Sequence, residues 1–316
     1  DGEAAASGQG SARASGAARG DDCPAEGDDE RIVALNALLQ MDSDRALPIL
    51  ERVLARRDEC SATLRRRALF LVAQKEGPRR EEMLLEAIRN DPDPKVREQA
   101  VFWLSETRSE RATAILEELL RTSTDEGILD KAIFALSNQG TPRAREALRG
   151  YATRPDGPRR LREKAIFWIG QNGTAEDAAY LRELYGQLDD TELRERVIFA
   201  LSQKEGVGNE RWLMGIVRDA SQTPELRGKA IFWLGQGNLV SSAEMASIYD
   251  GLEDARVKDQ LIFALSQRTD DSAAVDKLMD IARRDPDRAL RQRAIFWLSQ
   301  SSDPRVVNFL MELIDR

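Results

Sequence analysis

Residues 165–171 read Ala-Ile-Phe-Trp-Ile-Gly-Gln (AIFWIGQ), and near copies follow one another down the chain. They are AVFWLSE at 100–106, AIFALSN at 132–138, VIFALSQ at 197–203, AIFWLGQ at 230–236, LIFALSQ at 261–267 and AIFWLSQ at 294–300, with a looser ALFLVAQ at 68–74. Their phenylalanines, Phe70, Phe102, Phe134, Phe167, Phe199, Phe232, Phe263 and Phe296, are spaced by 31 to 33 residues. A fixed period of this length is the signature of a repeat architecture built from one supersecondary unit.

The unit at 155–187 contains two helices. After the turn Pro155-Asp156-Gly157-Pro158, Leu161, Ala165, Trp168 and Ile169 fall at i, i+4, i+7 and i+8, forming one apolar stripe. A second amphipathic stretch follows Thr174, with Ala178, Leu181, Leu184 and Tyr185 on one face. No window shows bounded strand alternation. A pair of this size cannot bury its stripe alone, so the expectation is an all-α solenoid of stacked antiparallel helix pairs with an extended, usually concave, surface. It comprises about eight pairs over residues 30–316, with a half-repeat at either end. Residues 30–41 align as the Phe-bearing helix with Asn36 in place of Phe, and 303–315 as the other helix.

The turn Asp91-Pro92-Asp93-Pro94-Lys95-Val96-Arg97, with an Ala and a Leu-Ser or Leu-Gly near the helix end, resembles a HEAT repeat. It is most similar to the short bacterial subtype first noted in phycobilisome lyases, and the resemblance covers residues 30–316. It implies a binding scaffold in most cases and an enzyme occasionally. HEAT-like deoxyhypusine hydroxylase holds iron on His-Glu pairs, and this chain has no histidine. HEAT-like DNA glycosylases need a cationic groove for phosphate contacts. Here seven acids against two arginines in residues 1–29 carry −5 of the formal charge of −8, leaving the body near −3. Phycobilin-lyase chemistry stays open as kinship, without chromophore-specific residues.

Composition excludes more. Zero histidines remove Ser-His and Cys-His nucleophile pairs and His-metal sites, and two cysteines cannot build a four-thiolate site. No catalytic, metal or cofactor residues are expected. No apolar run is long enough to cross a bilayer. Residues 1–29 are rich in Gly, Ala, Ser and acid and read as a disordered tail. The chain opens on Asp1 instead of Met, which reads as trimming, through a removed secretory signal or an excised fragment. Cys23 and Cys60 are candidates for a disulfide pinning the tail to the first repeats. A periplasmic or secreted location follows from that reading, with a cytoplasmic one and free thiols as the alternative.

The candidate site is the face of the repeat helix that carries Phe. At 100° per residue, the phenylalanine points away from the core stripe, beside the residue three before it and the residue four after it. The first set reads Arg67, Gln99, Lys131, Lys164, Arg196, Lys229, Gln260 and Arg293. The second reads Gln74, Glu106, Asn138, Gln171, Gln203, Gln236, Gln267 and Gln300. Stacking turns them into three ladders. One reading is a receptor for an extended partner: amides bond a peptide backbone, Phe anchors apolar groups, and cations attract acids. Armadillo proteins, a related class, bind peptides on comparable ladders. The other reading is structural, with Phe wedged over the small residues Ser137, Gly170, Ser202 and Gly235 and the amides tying helix ends.

Trp103, Trp168, Trp233 and Trp297 alternate with Ala135, Ala200 and Ala264. On the core stripe this reads as large-beside-small packing across repeats. Arg65, Arg97, Arg162, Arg194, Arg227, Lys258 and Arg291 match the HEAT arginine that pairs with acids or carbonyls of adjacent turns, a structural role. The expected function is a non-enzymatic protein-binding scaffold whose partner is a protein or extended peptide, with no nucleic acid. Alternatives are a phycobilin-lyase-like or nucleic-acid-acting enzyme, and a subunit assembling head to tail through its unequal ends.

Overall fold

A computed structural model describes residues 29–58, 60–204, 208–237 and 239–315, and among them every regular element is helical. The chain divides into two compact units, the first up to Ala112 and the second from Thr113 onward. The first contains α1 (Glu30–Ala37), α2 (Ser43–Leu54), α3 (Ser61–Ala73), α4 (Pro78–Asn90) and α5 (Pro94–Glu106), and α6 (Glu110–Thr122) begins in it. The second holds most of α6, then α7 (Glu126–Gln139), α8 (Pro142–Ala152), α9 (Arg159–Asn172), α10 (Ala175–Gln187), α11 (Thr191–Ser202) and α12 (Asn209–Arg218). It continues with α13 (Pro224–Gln236), α14 (Ser242–Tyr249), α15 (Ala255–Ser266), α16 (Ser272–Arg284), α17 (Arg288–Leu298) and α18 (Pro304–Ile314). The odd-numbered helices from α3 to α17 carry the phenylalanines and are the B helices; the even-numbered ones are the A helices. Eight A–B pairs lie between a lone B-type helix, α1, and a lone A-type helix, α18.

Local chemistry starts each element. Asp93, Asp125, Asp190, Asp254 and Asp287 sit in extended conformation and accept from backbone N–H groups in the first turn of the following B helix. Proline opens α5, α8, α13 and α18, where its missing N–H has no intrahelical partner to lose. Asp29 is likewise the N-cap of α1, so it belongs to the helix and not to the tail. The remainder of the tail, and with it Cys23 of the candidate disulfide, lies outside the described residues.

In the second unit, where arginine stands five residues before Phe it closes the A helix of its own repeat, while Leu129 and Lys258 hold that position before Phe134 and Phe263. Arg162 donates to the Ala152 carbonyl at 3.0 Å, Arg194 to Leu188 at 2.6 Å, Arg227 to Val217 at 2.8 Å and Arg291 to Asp285 at 2.7 Å. These are the helix-end carbonyls that the helix cannot satisfy itself. In the first unit Arg97 does the same to Asp91, whose carboxylate also takes a buried two-pronged contact from Arg65 at 2.7 and 3.0 Å.

The buried arc of the B helix is wider than the sequence stripe. Leu161, Ala165 and Ile169 are buried, but so is Ile166, immediately before Phe167, while Trp168 is only partly covered. From α9 to α17 each B helix packs on its own A helix and also on the B helices beside it, which draws the buried centre toward the residue before Phe. The small residues serve that second contact. A Cβ on Gly170 would lie 2.6 Å from Ala200 Cβ, and one on Gly235 would lie 3.3 Å from Ala264 Cβ. Glycine therefore faces the alanine of the next repeat and not a phenylalanine. Where the next repeat carries Trp, the same position is Ser137, Ser202 or Ser266, each hydroxyl bonded back to a Phe carbonyl at 2.7 Å.

Between A helices the strongest polar tie is Asp177 of α10, which is 1% exposed. It accepts from Arg149 at 2.6 and 3.0 Å and from the Thr174 backbone N–H at 2.7 Å. Burial alone pushes its carboxyl up, but the Thr174 N–H and the Arg149 guanidinium more than offset that and hold it below the ordinary carboxylate range.

Gly170→Ala is expected to destabilise by about 1–2 kcal/mol, overpacking exceeding the helix-propensity gain. Gly215→Ala, whose added methyl meets nothing within 4 Å, is expected to stabilise by about 0.5–1 kcal/mol; paired thermal melts check both. Asp177→Asn is expected to cost about 3 kcal/mol at neutral pH. With a lowered folded pKa, the carboxylate contributes fully above its unfolded value of about 3.9 and loses that contribution as pH falls through the folded one. The gap between the two proteins should thus close in acid, as denaturant titrations from pH 7 to 3 would show.

Candidate functional site

The sequence-derived ladders occupy one face of the B helices in each unit. Phe102 is 41% exposed, Phe134 36%, Phe232 38% and Phe296 53%, and Phe70, Phe167, Phe199 and Phe263 are half-buried. The amides Asn138, Gln171, Gln203, Gln236, Gln267 and Gln300 are exposed. Gln203 and Gln267 donate to the neighbouring Ser202 and Ser266, at 3.1 and 3.2 Å.

The rings touch across repeats in an order that explains the Trp/Ala alternation. Each B-helix Trp lies between the Phe of its own repeat and the Phe of the one before. Trp168 is 5.3 Å from Phe134 and 5.0 Å from Phe167; Trp233 is 4.8 Å from Phe199 and 4.9 Å from Phe232; Trp297 is 5.4 Å from Phe263 and 5.0 Å from Phe296. Most are edge-on or tilted, the arrangement the ring quadrupoles favour. In the first unit Trp103 sits likewise between Phe70 and Phe102. Phe167 stacks on Phe199 at 6.1 Å and joins two of these triads. So the phenylalanines are both packed and presented: one edge braces the next repeat while part of the ring stays open.

The cations differ from the sequence expectation of free attractors for a partner's acids. In the second unit Lys164, Arg196, Lys229 and Arg293 are engaged, each with the carboxylate one position before its own register in the preceding repeat. Lys164 pairs with Asp130 at 2.5 Å, Arg196 with Glu163 at 3.6 Å, Lys229 with Glu195 at 3.1 Å and Arg293 with Asp259 at 2.8 Å. Single-helix geometry missed this because the partners lie on different helices. Aligning the repeats at the position four before Phe would have found it.

Two clefts open on the B helices, one lined by α13 and α15 with Glu195 of α11, the other by α15 and α17. The first, about 480 Å³, is lined by Glu195, Gly228, Lys229, Phe232, Trp233, Arg256 and Gln260, among others. The second, about 640 Å³, is lined by Arg256, Asp259, Gln260, Arg293 and Phe296, among others, and shares Arg256 and Gln260 with the first. Among the described residues no group of His, Cys, Asp and Glu is arranged to hold a metal ion, and no helix is long and apolar enough to cross a membrane.

A separate apolar row, Val307, Met311 and Ile314, stands exposed on α18. Its counterparts on α16, Val275, Met279 and Ala282, are buried, and α16 packs on the B helix α17.

Repeated A–B pairs, aspartate caps and arginines that close A helices describe one known repeat, and the family described as HEAT repeats matches residues 55–137 and 245–316. The chain is a HEAT-repeat protein. No curated protein sequence matches it. Among solved structures, this HEAT-repeat chain is similar to human deoxyhypusine hydroxylase in complex with glycerol, at 19% identity and a TM-score of 0.33, over 87% of this chain and 98% of that one. It is also similar to YibA of E. coli, at 16% identity and a TM-score of 0.40, over 86% and 98%. A third, from a computational design of self-assembling cyclic homo-oligomers, is 13% identical with a TM-score of 0.14, over 90% and 98%.

A rung of the ion-pair ladder is part-exposed, Lys164 at 34% and Asp130 at 19%. Lys164→Gln is therefore expected to lower stability by less than about 1 kcal/mol, with the difference vanishing near ~1 M salt; denaturant titrations at two ionic strengths check it.

Proposed function

We propose that this chain is a non-enzymatic scaffold that binds an extended segment of a partner protein on the B-helix face of its second unit. One observation carries the reading: half-exposed phenylalanines and exposed carboxamides recur in register on consecutive B helices. The amides spend little of their hydrogen-bonding capacity within the protein, and a carboxamide both donates to and accepts from a peptide backbone. The acids and cations between them are largely matched, so the face offers apolar contact and amide hydrogen bonds more than charge. The absence of histidine supports a non-catalytic role by removing imidazole chemistry.

The variant that tests it replaces Gln171, Gln203, Gln236 and Gln267 together by Ala. These exposed changes should leave helicity intact and shift stability by no more than about 0.5 kcal/mol per site. A partner captured by the wild type and mapped to this face by cross-linking should bind the variant at least ~10-fold more weakly. Unchanged affinity with an intact fold would overturn the reading.

A further inference from the structure

The second unit has five junctions between consecutive B helices, and four of them share two ties. At α7–α9, α9–α11, α11–α13 and α15–α17, a carboxylate pairs with a cation of the next repeat. At the same four junctions a ring of one repeat contacts a ring of the next. Among the described residues the junction α13–α15 has neither at these positions, its one ion pair, Arg256 with Glu225 at 3.7 Å, lying nearer the helix starts. Its carboxylate position is Gly228 and its cation position is Gln260, whose Cγ would lie 3.3 Å from a Cβ on that glycine. Among the described residues no ring contact joins Phe232 to Phe263, although the equivalent pair Phe167 and Phe199 is stacked.

The 480 Å³ cleft opens at this place. Phe232 and Trp233, 4.9 Å apart and edge-on, line it together with Gln260. Its charges are matched in pairs: Lys229 with Glu195 at 3.1 Å and Arg256 with Glu225 at 3.7 Å. A charged visitor would have to break one of these pairs or sit beside a like charge.

We propose that this cleft is the specificity subsite of the B-helix face, and that it takes one uncharged aromatic side chain from the partner segment. Resting on the function proposed above, this deepens it: the ladder holds the backbone and the interrupted junction selects the residue. The inserted ring stacks on Phe232 and Trp233 where the neighbouring repeat supplies none, and Gln260 bonds the adjoining peptide group. The clefts' shared residues, Arg256 and Gln260, lead the segment on toward Phe296.

Restoring the missing rung tests it. The double variant Gly228→Glu, Gln260→Lys rebuilds the ion pair found at the other four junctions and fills the cleft. N-acetyl-4-fluorophenylalanine amide, followed by fluorine NMR, should bind the wild type saturably at millimolar concentration. The double variant should bind it at least ~10-fold more weakly, while Tm rises by ~2 °C through the added helix propensity. Gln260→Trp, a change at an exposed position that supplies the ring in cis, should lose binding in the same way and serves if the double variant misfolds. N-acetyl-aspartate amide and N-acetyl-lysine amide should not compete. Undiminished probe binding in a folded cleft-filling variant, or equal binding of the charged amides, would overturn the subsite. Loss of probe binding in these variants, with partner affinity unchanged in the fourfold amide variant, would sink the ladder reading and leave the subsite standing.

Discussion

Everything in the second unit depends on the contact of one B helix with the next. A single A–B pair has too little apolar surface to fold alone, and its stability is borrowed from its neighbours. Two kinds of contact alternate. In one, glycine meets alanine and the backbones approach closely, as at Gly170 and Ala200. In the other, a tryptophan enters between two phenylalanines and serine replaces the glycine. Both leave part of the phenylalanine ring uncovered, so the packing that joins the repeats also produces the surface they present.

The A helices play a different part. The ends of α4, α8, α10, α12 and α16 are closed by arginines from the B helix of the same repeat, and buried polar ties such as Arg149–Asp177 join α8 to α10. These groups satisfy carbonyls and carboxylates that burial would otherwise leave costly. These arginines are thus spoken for, and the accessible chemistry of their repeats falls to the opposite edge of the B helix.

The architecture was legible in the sequence because the period is strict: the pair count, the flanking lone helices and the partial exposure of Phe167 and its equivalents all follow from register. What escaped was lateral. The burial of Ile166 and the partial exposure of Trp168 come from a neighbouring B helix that a single-helix wheel does not contain. Lys164 looks like a free cation until Asp130, 34 residues earlier, is set beside it. Gly228 and Gln260 look like ordinary variation until both are seen to stand at the two halves of one missing rung. The division after Ala112 leaves no mark on the periodicity.

The alternation of Gly–Ala with Ser–Trp junctions makes the interchangeable module of this array two repeats long. Removing a single repeat from the second unit would bring a tryptophan onto the close glycine contact or set two alanines at a site built for an indole. Growth and shortening by recombination are therefore quantised in blocks of about 65 residues, counted from the spacing of Trp103, Trp168 and Trp233. Engineering of longer or shorter arrays from this scaffold faces the same parity rule.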